Sequence, residues 1–399
     1  MIIYIISNFK GVNTGKGGHY YSLFQMVQKI KERKKVLVFT IGEESPQIFK
    51  NIDYAVHISG SVLNIFEITK KIESYIKENE LETVSIFHGY DELSCYSILA
   101  LSKKFNSKYI ITKCGGVTKS NYPKVDNLIV FHTRDYNYYK SKQGFKKVYL
   151  IPNRVKKVEG NSLRSEHLNE IYNENFFNIV KIGRIGKYYQ HTLQQSINLA
   201  SLLSNKKNVK LIFIGYLESL HYKIELEEYA RLKNVDLTFF VDEKFTTNAS
   251  ELLLGADLVV GTGRGAMEAA SLGKIIFFPV QNRDLPCLLD TTTAKFALDD
   301  NFSERTTIPY EYYFTKKYIN NFLDDNVKIE ENKIHNELIF KKWFCIEEGA
   351  KLVLKTYDEI ETSKKIDTIY IYLKFLIVGV KLIIKRKIKL YKHLIFGRN

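Results

Sequence analysis

Three glycine-containing segments carry the residues whose types and spacing could do chemistry. Gly183-Arg184-Ile185-Gly186-Lys187 follows a β-rich run and precedes a helical one. Gly261-Thr262-Gly263-Arg264-Gly265-Ala266-Met267-Glu268 stands in the same setting later in the chain. Gly15-Lys16-Gly17-Gly18-His19 joins the first β-rich run to the first helical stretch. Glycine lets backbone N–H groups come close to an anion, and the start of a helix favours negative charge. Arg184 and Lys187 could hold a diphosphate and neutralise it as it leaves. Arg264 suits the same phosphate, and Glu268, about one turn into its helix, could accept hydrogen bonds from ribose hydroxyls. The plainer alternatives are an ordinary turn for the first-half loop, a solvated basic loop around Arg184, and a surface glutamate for Glu268. The Gly15–His19 loop is neither GxGxxG nor a Walker loop, which weighs against nicotinamide and ATP chemistry.

A fourth candidate is His88, in Phe87-His88-Gly89-Tyr90-Asp91 after a β-rich run. A histidine at a strand end can work as acid or base or hold a hydroxyl, and a structural histidine is the competing role. No Asp-x-Asp follows a strand, and the four cysteines (Cys95, Cys114, Cys287 and Cys345) form no CxxC. No metal and no resident cofactor are therefore expected. Arginine and helix dipoles can stabilise a leaving diphosphate without them.

The elements that must position these residues are legible as an alternation. Strands are expected at Ile2–Ser7, Val36–Ile41, Thr83–His88, Tyr109–Lys113, Asn127–His132 and Val148–Ile151, with helices at 20–31, 65–79 and 93–104. The pattern restarts with strands at 178–182, 209–215, 237–241, 257–261 and 275–279 and helices between them. Such alternation implies parallel βαβ units with right-handed crossovers, and functional loops at strand carboxyl ends. The expected fold class is α/β, with two Rossmann-like doubly wound domains facing across a cleft, over residues 1–155 and 156–335. One amphipathic helix is expected over 336–361, packing back on the core, with a basic segment at 362–399.

The chain has 399 residues and a net charge of +15. Ten basic residues and one acid within 364–399 account for +9 of it. Within that segment 366–384 is nearly all apolar, interrupted by Lys374 and Lys381, which lie seven apart on one helix face. Two lysines inside the stretch argue for a helix lying in a membrane interface rather than crossing it. The alternative is a basic helix packed on the first domain. An anionic membrane surface is thus an expected partner. Nucleic acid is not, because the charge sits in an apolar-rich tail and no nucleic-acid motif is present. Unpaired thiols and a first apolar run, Met1 to Ile6, too short for a signal peptide point to a cytoplasmic protein attached peripherally to the inner face of the membrane.

In order and spacing, the chain resembles the GT-B glycosyltransferases, most of all glycosyltransferase family 4. The resemblance rests on Gly17-Gly18 before the first helix and Ile151-Pro152-Asn153 at the domain junction. It continues through Gly183-Arg184, Ala256–Val260, Met267-Glu268-Ala269 and Gly273-Lys274, over about residues 1–361. It implies a nucleotide-sugar donor, a UDP- or GDP-sugar, bound mainly by the second domain. Arg184 and Lys187 would meet the diphosphate, Glu268 the ribose, and Gly183 and Gly263 to Ala266 (with Arg264 and Gly265) would line the phosphate site. Gly17 and Gly18 would approach from the first domain. The acceptor, a glycan or lipid-linked hydroxyl, would lie near His88 and Gly115-Gly116. Retention at the anomeric carbon is implied by the family.

The sequence departs from that pattern in three places. Val260 stands where the first acid of a paired-glutamate motif is usual, Tyr189 where a lysine is usual, and Cys114-Gly115-Gly116 where many relatives carry a histidine. Two rival functions fit the same fold: a sugar-nucleotide epimerase, and a non-catalytic scaffold on the membrane surface.

Overall fold

The computed structural model describes residues 1–9, 17–81, 83–159, 165–281, 283–312, 315–362 and 368–395. Gly15 and Lys16 of the first candidate loop lie outside the described residues. The chain divides into two compact units. The first comprises Met1–Asn153 with Gly349–Asn399, and the second Arg154–Glu348.

Unit one is built on a seven-stranded, all-parallel sheet. Its strands are β1 (Ile2–Asn8), β2 (Val36–Gly42), β3 (Ala55–Ser59), β4 (Ile86–Tyr90), β5 (Lys108–Lys113), β6 (Asn127–Val130) and β7 (Lys147–Leu150). The order is β3-β2-β1-β4-β5-β6-β7. Every residue of β1 is buried, as a central parallel strand covered on both faces requires. The order reverses between β1 and β4, and at that switch point the connecting loops part and leave a crevice at the carboxyl ends. β3 was not foreseen, because a short, half-buried edge strand lacks the continuous apolar run of its neighbours. The helix Thr133–Lys140 was also missed. It is polar, and it opens on the His132 ring, which accepts the Asp135 amide at 3.2 Å.

Unit two repeats the plan with β8 (Phe177–Ile182), β9 (Val209–Ile214), β10 (Asp236–Phe240), β11 (Leu258–Val260), β12 (Ile275–Phe278) and β13 (Cys287–Leu288). Their order is β10-β9-β8-β11-β12-β13, parallel except for the β12–β13 pair. Alternate residues feed two cores: Val180, Ile212 and Val259 on one face, Ile179, Leu211 and Leu258 on the other. Here the switch point falls between β8 and β11.

The single helix expected over 336–361 is interrupted. A helix Asn326–Ile339 runs into a π-helical turn, Phe340–Phe344, and a new helix covers Ile346–Glu359. Between them Cys345 is extended (φ −63°, ψ 124°) and pairs with Val155. The wide turn keeps Phe340 and Phe344 both in the core of unit two. No glycine or proline marks the break, so the apolar periodicity runs through it unaltered. The expected boundaries move accordingly. Unit two ends at Glu348 rather than 335, and unit one regains the chain at Gly349. The basic tail forms a helix, Thr368–Ile395, that belongs to unit one.

Candidate active site

In unit two, adjacency of β8 and β11 brings the two candidate anion loops to one place. Arg184 lies just beyond the end of β8, and the Gly261–Gly265 turn lies just beyond β11. A Cβ on Gly265 would stand 3.7 Å from the carbonyl oxygen of Ile182, the last residue of β8. The helix Arg264–Ser271 starts from Gly263, whose φ of +49° is open to glycine at little cost. A Cβ there would meet nothing within 4 Å, so the backbone faces open space. Ala266 is instead buried, tucked against Gly261.

The cations of this crevice differ in freedom. Arg184 is half exposed, and Glu218 is 3.8 Å from its guanidinium, beyond hydrogen-bond length. Lys187, at the start of a short 3₁₀ turn, is exposed. Arg264 and Glu268 form a pair at 2.8 Å, with side chains 15% and 14% exposed. Arg264 also donates to the Arg154 carbonyl at 3.3 Å. Burial raises the Glu268 carboxyl above its ordinary value, and the attraction and hydrogen bond of Arg264 work against that rise. Glu268 is therefore already oriented by Arg264.

Two residues of this crevice escaped the sequence reading. Lys181, on β8, is buried and donates to the Thr262 hydroxyl at 2.7 Å. Burial lowers its pKa to about 8, with Glu304 acting the other way. Glu304 accepts from the Thr192 hydroxyl at 3.0 Å, and burial raises its carboxyl. A charged residue inside an otherwise apolar strand (Phe-Asn-Ile-Val-Lys-Ile) was the available signal for Lys181.

In unit one the expected residues separate. Gly17 caps the helix Gly18–Ile30 and is buried, whereas Gly18 is exposed. The next residue but one, Tyr20, donates to the Ser7 carbonyl at 3.0 Å and the Asn8 side-chain oxygen at 3.1 Å, fixing the helix start over the end of β1. His88 is not at the crevice. It is fully buried inside the unit, its Nδ1 2.6 Å from the Tyr357 hydroxyl and its Nε2 2.7 Å from the Thr112 hydroxyl. Burial lowers its pKa to about 3, so the ring is neutral. These contacts give His88 a structural role, because both ring nitrogens are spent on the protein.

Asp91, three residues on, stands where His88 was expected. It directly follows β4, at the switch point beside β1, with φ +90°. Such a backbone is costly for a residue with a Cβ, and it is kept only where surrounding contacts impose it. One carboxylate oxygen accepts from the amides of Leu93 (2.9 Å) and Ser94 (3.1 Å), and the other from the Ser7 hydroxyl at 3.0 Å. Burial raises its pKa to about 7 despite those bonds. The strained backbone and the near-neutral pKa make it the acid–base candidate of this unit. Nearby, Gly115 and Gly116 have φ of +63° and +78°. Lys113, ion-paired to Asp135 at 2.6 Å, donates to the Gly115 carbonyl at 2.8 Å.

The architecture can be set beside solved structures. A glycosyltransferase from Rickettsia africae matches over 90% of this chain and 97% of its own, with a TM-score of 0.64 at 14% identity. The chain has the GT-B fold. HepE from Anabaena, solved in complex with UDP, matches 90% of this chain and all of its own, again at a TM-score of 0.64 and 14% identity. The lipopolysaccharide outer core galactosyltransferase WaaB matches 90% of this chain and all of its own, at a TM-score of 0.54 and 10% identity. No protein-family model and no curated protein matches the sequence.

Proposed function

We propose that the protein transfers a hexose from a nucleoside diphosphate sugar to a hydroxyl of a growing glycan, as a member of glycosyltransferase family 4. The observation that carries this is the arrival at the β8–β11 switch point of a half-exposed guanidinium, loosely paired with Glu218, and of a glycine-rich turn opening a helix that carries a pre-oriented glutamate. A diphosphate fits the first two, and a ribose fits the third. HepE has been solved with UDP and with UDP-glucose, which makes a UDP-sugar the first donor to test.

Arg184 and Lys187 meet the diphosphate, and the helix beginning at Arg264 adds its N-terminal dipole. Their charge stabilises the departing diphosphate without a divalent ion, and the sugar is transferred with retention. Glu268 holds the ribose, and Gly263 to Ala266 line the phosphates. Unit one takes the acceptor, with Asp91 and the Gly115-Gly116 turn at its crevice. The acceptor is a lipid-linked or cell-surface glycan, and the enzyme works at the cytoplasmic face of the membrane.

Calorimetric titration with UDP, GDP and their sugars tests the donor. Binding of one of them is expected, with affinity lost in Arg184→Ala. Absence of heat with every nucleotide would point to a scaffold that keeps the fold.

A further inference from the structure

The helix Thr368–Ile395 has two apolar faces, and unit one uses one of them. Phe375 is buried against Phe9 and Tyr96, each with ring centroids 6.4 Å away. Tyr372 packs on Tyr96 at 5.1 Å. Gly379 lets the helix approach Val62, since a Cβ there would come within 3.1 Å of the valine. These partners share a position in the fold. Phe9 directly follows β1, Val62 comes soon after β3, and Tyr96 soon after β4. The helix is therefore seated at the carboxyl end of the sheet, the end that bears Ser7 and Asp91.

Among the described residues, the second face has no partner. Ile369, Leu373, Ile377, Val380, Ile384 and Ile388 are each about half exposed or more. At ~100° per residue they fall within an arc of roughly 100°. Lys381 is exposed at the edge of that arc, and Lys374 stands beside it with its ammonium 5.2 Å from the ring centre of Tyr370. The same composition continues just beyond Val62. Leu63 and Phe66 are exposed there, and the Lys70 ammonium lies 4.6 Å from the Phe66 ring centre. Among the described residues, no helix is long and apolar enough to cross a membrane.

We propose that this second face is a docking surface for an anionic lipid bilayer, and that it holds the acceptor end of unit one against the headgroups. Charge selects the occupant. Residues 364–399 carry a net +9, so two copies meeting through this face would set like charges together, whereas an anionic bilayer complements them. A helix with an apolar stripe edged by lysines lies in the interface plane with the stripe in the acyl boundary and the ammoniums among headgroups. The seat of the helix then sets Asp91 on the membrane-proximal side of unit one. The acceptor is accordingly a hydroxyl close to the headgroup of a lipid-linked glycan. This last step rests on the transferase function proposed above, whereas the docking stands on the helix alone.

The test is flotation of the full chain with phosphatidylcholine vesicles, with and without about 30 mol % phosphatidylglycerol. Binding to the anionic vesicles is expected, weak on the neutral ones and reduced by added salt. The double substitution Leu373→Glu with Ile377→Glu should lower it at least tenfold while leaving circular dichroism and nucleotide titration unchanged. Undiminished flotation of that variant, or equal binding to both vesicle types, overturns the proposal. A wild-type dimer in sedimentation that the same substitutions dissociate also overturns it, by assigning the face to a second copy. If vesicles bind but no nucleotide does, the transferase function fails and the docking stands. The reverse outcome leaves the transferase and removes the membrane.

Discussion

The Lys181 ammonium reaches from β8 to the Thr262 hydroxyl at 2.7 Å, tying the strand before Arg184 to the glycine turn before Glu268. Two anion loops are thereby fixed to one another by a buried cation. Burial lowers this lysine to about 8, so near neutral pH it is charged, and it loses the charge as pH rises through that value. A diphosphate bound nearby favours the charged form and moves the loss upward. Donor affinity should therefore fall as pH rises past about 8. Lys181→Met should weaken donor binding by roughly tenfold, about 1.4 kcal/mol, and flatten that pH dependence. Titration of the donor from well below to well above pH about 8 in both proteins checks it.

The Arg264–Glu268 pair predicts a non-additive pattern. Both side chains are mostly covered, so removing either one deprives the other of its counter-charge, at a cost of about 1–3 kcal/mol, although Arg264 keeps the Arg154 carbonyl. Glu268→Ala should lose transfer by two orders of magnitude or more and also lower the unfolding midpoint. Arg264→Met combined with Glu268→Leu should recover most of that stability and none of the activity. Thermal unfolding alongside initial rates separates the two roles. An activity loss in Glu268→Ala that tracks stability alone would leave the glutamate no part in donor binding.

Asp91 should govern the rise of rate with pH. Its carboxyl is raised to about 7, above the unfolded value near 3.9, so the folded state binds its proton more tightly. Stability from this group is present below the unfolded value and is lost as pH rises through about 7. Activity runs the other way, because only the carboxylate can take a proton from an acceptor hydroxyl. The expected profile is kcat/KM increasing to a plateau above about pH 7. Asp91→Asn, which tolerates a positive φ, should be more stable near pH 7 yet nearly inactive at every pH. A full-rate Asn variant would remove Asp91 from the chemistry.

Much of this arrangement is legible in the amino-acid sequence. Continuous apolar runs such as Val36–Ile41 mark two doubly wound sheets, and the glycine turns ahead of Arg184 and of the helix that carries Glu268 follow neighbouring strands, β8 and β11. Three features were not legible, each for a physical reason. The break at Cys345 leaves the apolar period intact, because the π turn keeps Phe340 and Phe344 buried together. Direction along a strand does not reveal depth, so the sequence singles out His88 and passes over Asp91, although the first lies in the core and the second directly follows the strand. The tail helix showed its apolar length and its lysines. That one side would be consumed by Phe9, Val62 and Tyr96 depends on tertiary contacts no periodicity encodes.

His88 finally serves as a probe of how the returning chain is held. Its Nδ1 meets the Tyr357 hydroxyl at 2.6 Å, and that hydroxyl lies 2.8 Å from the hydroxyl of Tyr4 on β1. The network joins the C-terminal return to the centre of the sheet, entirely within unit one. With the ring lowered to about 3, folding favours the neutral form. Its contribution is present above the unfolded value near 6.5 and drains away as pH falls towards 3, because the unfolded chain then binds the extra proton. His88→Ala should cost about 2–4 kcal/mol through a cavity and the loss of two buried hydrogen bonds. It should also remove part of the acid sensitivity between pH 6.5 and 4. Tyr357→Phe should lose less, about 1–2 kcal/mol, and should make His88 easier to protonate only if water replaces the hydroxyl. Denaturant melts at several pH values measure both. Since neither residue touches the crevice, rates per folded molecule should stay within about twofold of the original protein, a change of under 0.5 kcal/mol. A selective drop in kcat with stability unchanged would restore His88 to the chemistry.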